Sequence, residues 1–240
     1  LIGISARSGP DFFGGGSGHG LRPVLAVEWG RLRLSTGGGW GLMEHGRSRR
    51  RDRSVGLEGL LRATDRFNLS LSLNIDRGRG VAEADRLLGV PNVPTTLRAR
   101  VRARYNLIER WTTSLAVSQD VLGKGGGMVV DAWLGHDQPL GPRTTVGASL
   151  TASWGNARYM RSEFGIPLTP QRIAAGLSGY RPRAGLFQTG LGLDLTHSIS
   201  EHWVAFGGIG YTRLQDDAAR SPLVRRRGGF TASIGLAWRN

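Results

Sequence analysis

Four arginines occupy every second position of "LRARVRARYN", residues 97–106: Arg98, Arg100, Arg102 and Arg104. Leu97, Ala99, Val101, Ala103 and Tyr105 stand between them. On an extended strand successive side chains point to opposite faces, so one face carries guanidinium groups and the other is apolar. Such a row could bind a polyanion or line the wet interior of a membrane barrel. Asp76, Asp120, Asp131, Glu58 and Asp194 fall in similar alternating stretches and could pair with the row as an internal charge network.

Other residues with chemical potential are weaker candidates. None of the five histidines, His19, His45, His136, His197 and His202, has a zinc-type partner four residues on. No metal site or cofactor is expected. His136 and His202 lie near short turns, where solvated imidazoles are expected. "THS" (196–198) sets His197 beside Ser198, but neighbours on a strand face opposite ways and cannot act as a nucleophile–base pair. An outer-membrane lipid-modifying enzyme is therefore only a remote alternative, and no catalytic residue is assigned. "VLGKGGG" (121–127) contains Gly-Lys without the following Ser or Thr of a phosphate-binding loop. Its glycines read as loop flexibility.

Composition narrows the setting. The 240 residues carry a net charge of +14, and Lys124 is the only lysine. Arginine suits bidentate contacts with phosphate or carboxylate. There is no cysteine, which removes disulfide frameworks. No apolar run approaches the ~20 residues of a transmembrane helix. "LIGISARS" begins an alternating segment at residue 1, so any leader lies outside this sequence. Thirty-eight glycines and little helical periodicity favour β structure with many turns.

The elements that must position these residues follow from period-two alternation. "FNLSLSLNID" puts Phe67, Leu69, Leu71, Leu73 and Ile75 on one face and Asn68, Ser70, Ser72, Asn74 and Asp76 on the other. Twelve such segments are expected, at about 1–8, 21–29, 31–41, 54–64, 67–77, 96–106, 110–121, 127–137, 143–155, 185–197, 202–214 and 228–239. Connections after even-numbered segments are short. Those after odd-numbered ones are mostly long, and "VLGKGGG" is the short exception. This is the arrangement of an outer-membrane barrel. The expected fold is a single all-β domain over 1–240, a transmembrane antiparallel up-and-down β-barrel of about 12 strands, with ten as the fallback. A long extracellular loop spans about 156–184 and is expected to fold over or into the barrel mouth; in it "LTPQRIAAGLSG" predicts a helix capped by Thr169, entered at Pro170 and ended by Gly176.

Aromatic placement supports the membrane setting. Trp29, Phe67, Tyr105, Trp111, Trp203 and Trp238 fall at short-turn ends of apolar faces, and Trp40 and Trp154 at long-loop ends. Two interfacial girdles would put them there. Trp133 is the exception, mid-segment on the polar face. With apolar faces toward lipid, the four arginines face the lumen, because an unpaired Arg facing lipid near the midplane costs ~2–4 kcal/mol. Nucleic-acid binding is disfavoured, since no aromatic platforms interleave with the arginines. The basic loops "GRSRRRDR" and "VRRRGG" are either solvated charge or contacts for lipopolysaccharide phosphates.

The last third resembles the MipA/OmpV family through "WGNARYMRSEFGI" (154–166), "AGLFQTGLGLDLTHSISEHW" (184–203) and "GYTRLQDDAARSPLVRRRGG" (210–229). Asn156, Tyr159, Met160, Phe164, Gly165, Asp217, Ala218, Ser221, Pro222 and Val224 match its loop pattern. Gly14, Pro23 and the Glu28–Trp29 turn carry a looser likeness near the start. The resemblance implies a Gram-negative outer-membrane barrel with a cleaved leader. It further implies a scaffold role joining a murein lytic transglycosylase to a class A penicillin-binding protein, or, as in other members, a role in adhesion or antibiotic response. The alternative function is a narrow anion-preferring channel lined by the arginine row. One departure concerns the end of the chain: Gly235 and Trp238 fit the usual barrel ending, but Asn240 stands where an aromatic is usual.

Overall fold

The computed structural model describes residues 1–10, 12–13, 20–29, 32–35, 56–63, 66–76, 78–79, 89–176 and 178–239. Twelve antiparallel strands join neighbour to neighbour into a closed barrel. They are β1 (Ile2–Ser8), β2 (Gly20–Trp29), β3 (Leu32–Ser35), β4 (Gly56–Ala63), β5 (Phe67–Asp76), β6 (Thr96–Ile108), β7 (Trp111–Asp120), β8 (Met128–Pro139), β9 (Thr144–Gly155), β10 (Gly185–Ser198), β11 (Trp203–Leu214) and β12 (Gly228–Trp238). Closure is made by β1 against β12, from Ile2 opposite Trp238 to Ser8 opposite Ala232. Among the described residues three short helices lie in the long connections: α1 (Ala157–Phe164), α2 (Pro170–Ala174) and α3 (Asp216–Arg220).

Burial is inverted relative to a water-soluble protein. Ser70, Arg98 and Ser118 are 3%, 7% and 6% exposed, whereas Val101, Leu115 and Leu150 are 45%, 53% and 50% exposed. The polar alternates point inward and the apolar ones outward, as a barrel in hydrocarbon requires. Leu71, Val101 and Val117 are consecutive cross-strand partners, so the outward rows run continuously across β5, β6 and β7. The backbone closes its hydrogen bonds strand to strand, which leaves no unpaired edge.

Several boundaries differ from those read in the sequence. β6 runs to Ile108, two residues past the expected end, because Arg110 takes a φ of 66° and tightens the turn to two residues. β8 runs to Pro139. β3 is described only to Ser35, and the rest of the expected 31–41 segment lies outside the described residues, with Trp40, His45 and "GRSRRRDR". His19 lies outside them as well.

The predicted loop helix is present as α2. Thr169 Oγ1 accepts the Arg172 N–H at 3.4 Å, and Gly176 follows with a φ of 67°. Gly176 donates its N–H to the Ile173 carbonyl at 3.0 Å. α1 and α3 had no counterpart among the expected elements.

The burial inversion yields a direct test. Val101→Arg places a charge on the lipid face near the middle of β6 and is expected to destabilise the membrane-inserted barrel by about 2–4 kcal/mol. Equilibrium denaturant unfolding in lipid vesicles measures the difference.

Candidate functional site

β6 places its four arginines on the inner wall, and each meets a different environment. Arg98 sits deepest under the long-loop end. Its Nε donates to Asp76 Oδ2 at 2.6 Å, and its terminal nitrogens donate to the carbonyls of Gly126 and Gly127. The glycine run is therefore ordered for a purpose rather than merely flexible. Positive φ at Gly123, Gly125 and Gly127 turns the chain so that two carbonyls converge on one guanidinium. Arg100 donates to Asp131 Oδ2 at 2.9 Å, and Ser153 Oγ donates to the other oxygen at 2.7 Å. Arg102 lies between Ser70 and Ala116 in the ladder, and Arg104 between Asn68 and Ser114.

The predicted carboxylates divide into four groups. Asp76 and Asp131 are in ion pairs with the row. Asp120, the ladder partner of Arg98 and within its electrostatic reach, accepts from Thr96 Oγ1 and from the N–H groups of Gly126 and Leu122, so its hydrogen bonds fix the β7–β8 loop. Asp194 stands on β10, four strands from the row, where it and Asp137 crowd the space over Gly147. Glu58 pairs in register with Ser72 and Arg33, and its side chain lies outside the described residues.

The aromatic residues occupy strand ends on the outer face. Phe67 and Trp111 open β5 and β7, Trp203 opens β11 and Trp238 closes β12. Tyr105, Trp111, Trp154, Trp203 and Trp238 are exposed. The Trp29 side chain and all of Trp40 lie outside the described residues. Trp133 points inward, between Ser114 and Thr151.

His136 departs from the solvated-turn expectation and packs outward on Trp111 at 4.8 Å. His202 is exposed in its turn and stacks on Trp238 at 6.2 Å. His197 also faces outward and bonds Thr144 Oγ1 at 2.8 Å, while Ser198 is buried. Among the described residues no cluster of three or more His, Asp or Glu could hold a metal ion.

Above the arginine row the long connections build a cap; the 156–184 loop was expected at the mouth, but α1, α3 and the packing between connections were not. α1 begins at Asn156, whose side chain accepts the Tyr159 N–H at 2.9 Å; an Asn before a helix-forming run was the available signal. The helix lies against β8, β9 and β10. This approach needs glycine at 155, where a Cβ would stand 2.5 Å from Tyr159 Cδ1. The Tyr159 ring covers the Arg98 guanidinium at 5.3 Å.

Met160 and Phe164 are buried with Val129, Phe187, Leu214 and Ala218, and Phe12 and Phe13 of the β1–β2 connection pack against them. A second buried cluster joins Val90 of the β5–β6 connection to Ile166 and to Leu223 of the β11–β12 connection. The β5–β6 and β11–β12 connections are rooted six strands apart in a twelve-strand ring, so this cluster spans the diameter of the mouth.

A charged clasp sits inside the cap. Arg79 is buried, with its guanidinium 5.2 Å over the Phe13 ring and its Nε 4.0 Å from Glu163 Oε2. It donates to the Ser162 carbonyl at 3.4 Å. Burial pushes the Glu163 carboxyl up to about 7, and nearby Asp76 adds to the rise while Arg79 and Arg98 oppose it. At the rim, the Arg183 N–H and the Arg220 guanidinium hold Asp217 below the usual carboxylate range.

The clasp makes the cap pH-dependent. Because the docked Glu163 has the raised value, its contribution is complete below about 4.5 and is lost as pH rises through about 7. Hydrogen exchange at α1 amides, corrected for intrinsic rates, is expected to show weakening protection across that window. Glu163→Gln is expected to flatten the dependence.

An inverted, closed β-barrel with an inward charge network and outward aromatic strand ends is an outer-membrane barrel of the Gram-negative envelope. Over residues 2–240 the sequence matches the family model described as MltA-interacting protein MipA, and the chain belongs to that family. It is 26% identical over 132 residues to YiaT of Escherichia coli (strain K12), whose name places it in the outer membrane. That match covers 55% of this chain and 52% of YiaT, about half the length of the curated relative. Among solved structures the NanC porin aligns over 100% of both chains at 11% identity, with a TM-score of 0.51. The KdgM porin aligns over 99% of both at 10% identity, with a TM-score of 0.47.

Proposed function

We propose that this barrel is a non-catalytic docking protein for enzymes of murein synthesis and hydrolysis, acting through its short periplasmic turns and outer wall rather than as an open pore. The observation that carries this reading is the cap across the mouth, in which connections from opposite sides of the ring meet in a buried cluster. Apolar side chains packed across a channel exclude water and dissolved ions. The family description, which names an interaction with MltA, supports the same direction. The partners are then a murein lytic transglycosylase and a class A penicillin-binding protein.

The refolded protein in planar bilayers is expected to carry no steady current and to retain one of these enzymes in pull-down. Steady conductance of the intact protein, or retention unchanged after every periplasmic turn is replaced, overturns the reading.

A second reading rests on the arginine row itself. If the cap lifts, Arg102 and Arg104 line the path, and the barrel becomes a narrow anion-preferring channel. A cap-weakened Phe164→Ala variant is then expected to conduct with anion preference, and adding Arg102→Glu and Arg104→Glu is expected to reverse it. Reversal potentials under a salt gradient measure the change.

A further inference from the structure

The outer face of β10–β12 carries arginine at the level where lipid headgroups begin. Arg213 is the penultimate residue of β11 and alternates with Ile209 and Tyr211, which are exposed on the outer wall. Its ladder partners are Thr189 and Gly228. Two residue pairs nearer the barrel centre, the Tyr211 and Phe230 rings pack at 5.0 Å, tilted by 55°. The Tyr211 hydroxyl lies over Gly228, where any Cβ would collide with it. Aromatic side chains of this kind mark the boundary between hydrocarbon and headgroups. Arg213 thus stands just beyond that boundary on the long-loop side, pointing toward lipid rather than lumen.

Nothing among the described residues neutralises it. No hydrogen bond or ion pair to a described residue holds the Arg213 guanidinium. Arg226 and Arg227 are exposed in the lead-in to β12, and the Arg227 carbonyl accepts the Leu214 N–H at 2.7 Å, which fixes this segment beside the end of β11. Between residues 213 and 227 the sequence has five arginines and two aspartates. One of the two, Asp217, is already taken by Arg220 at 2.7 Å and by the Arg183 N–H. Asp216 is the remaining countercharge. A guanidinium stem long enough to reach a membrane interface, unpaired and flanked by like charges, is suited to a phosphate.

We propose that Arg213, with Arg226 and Arg227, binds the phosphate of a lipid headgroup in the outer leaflet. The site does not rest on the docking reading: it lies at the long-loop end of the outer wall, away from the periplasmic turns, and its ligand is a lipid. It orients the β10–β12 wall against a specific lipid and ties the base of the β11–β12 connection to the membrane surface.

The test uses the full refolded chain with three probes: lipid A bearing its phosphates, the same lipid dephosphorylated, and inorganic phosphate. Native mass spectrometry and fluorescence titration read occupancy. Phosphorylated lipid A is expected to bind saturably and in a salt-dependent way, and the combined R213Q, R226Q and R227Q variant to bind on the order of 100-fold more weakly. Arg110→Gln, at the opposite rim, is expected to bind as the unmodified protein does. Heat-modifiable gel mobility checks that every variant is folded. Equal binding of dephosphorylated lipid, or undiminished binding by the triple variant, overturns the proposal. Inorganic phosphate binding as tightly as the lipid reassigns the patch to a soluble anion and equally overturns it.

Discussion

Hydrocarbon offers no partner for a backbone N–H or carbonyl, and this constraint shapes the whole molecule. Every strand must pair on both sides, so the sheet must close on itself, as it does between Ile2–Ser8 and Ala232–Trp238. Closure in turn gives each residue one of two environments and makes alternation obligatory. The exposed Val101 and the buried Arg98 are three residues apart on one strand and belong to different solvents. Between the two interfaces charge is kept to the enclosed side, where Asp76 and Asp131 stand within hydrogen-bond reach of Arg98 and Arg100.

The inner wall and the cap form one continuous structure. Arg98 is held by the β7–β8 glycine loop, covered by Tyr159, and bonded to Asp76 just before the β5–β6 connection begins. From there the chain reaches Arg79, whose guanidinium contacts Phe13 and the α1 carbonyl of Ser162. The topmost arginine of the row therefore belongs as much to the lid as to the wall. Burying Glu163 is costly: desolvation raises its carboxyl, and Arg79 and Arg98 offset only part of that rise.

Strand positions and the inward orientation of the arginines were legible in the sequence because period two is a local signal, visible in any ten residues such as 67–76. That the 156–184 loop folds toward the mouth was legible, but the partners it meets there were not. The contacts of the cap link Phe13 to Phe164 and Val90 to Leu223, pairs far apart in the chain with no repeating pattern to announce them. Asp120 was legible only in part. Strand parity set it on the face of Arg98 but did not tell that Thr96 and two loop amides would also claim its oxygens. The glycines at 123–127 looked permissive in isolation, and only the position of Arg98 explains why the turn needs them. His136 was read from its nearness to a turn, whereas its outward parity sets it against Trp111.

The pairing of the first strand with the last has a kinetic consequence. Neighbouring strands such as β6 and β7 zip together across a two-residue turn, but Ile2 finds Trp238 only after nearly the whole chain has been laid down. Loop-closure entropy grows slowly with length, yet it must be met before any of these seven residue pairs repays it. High contact order of this kind slows the search. Until that seam shuts, two bare strand edges face the bilayer, so assembly of this protein is governed by how long an open sheet can be sheltered.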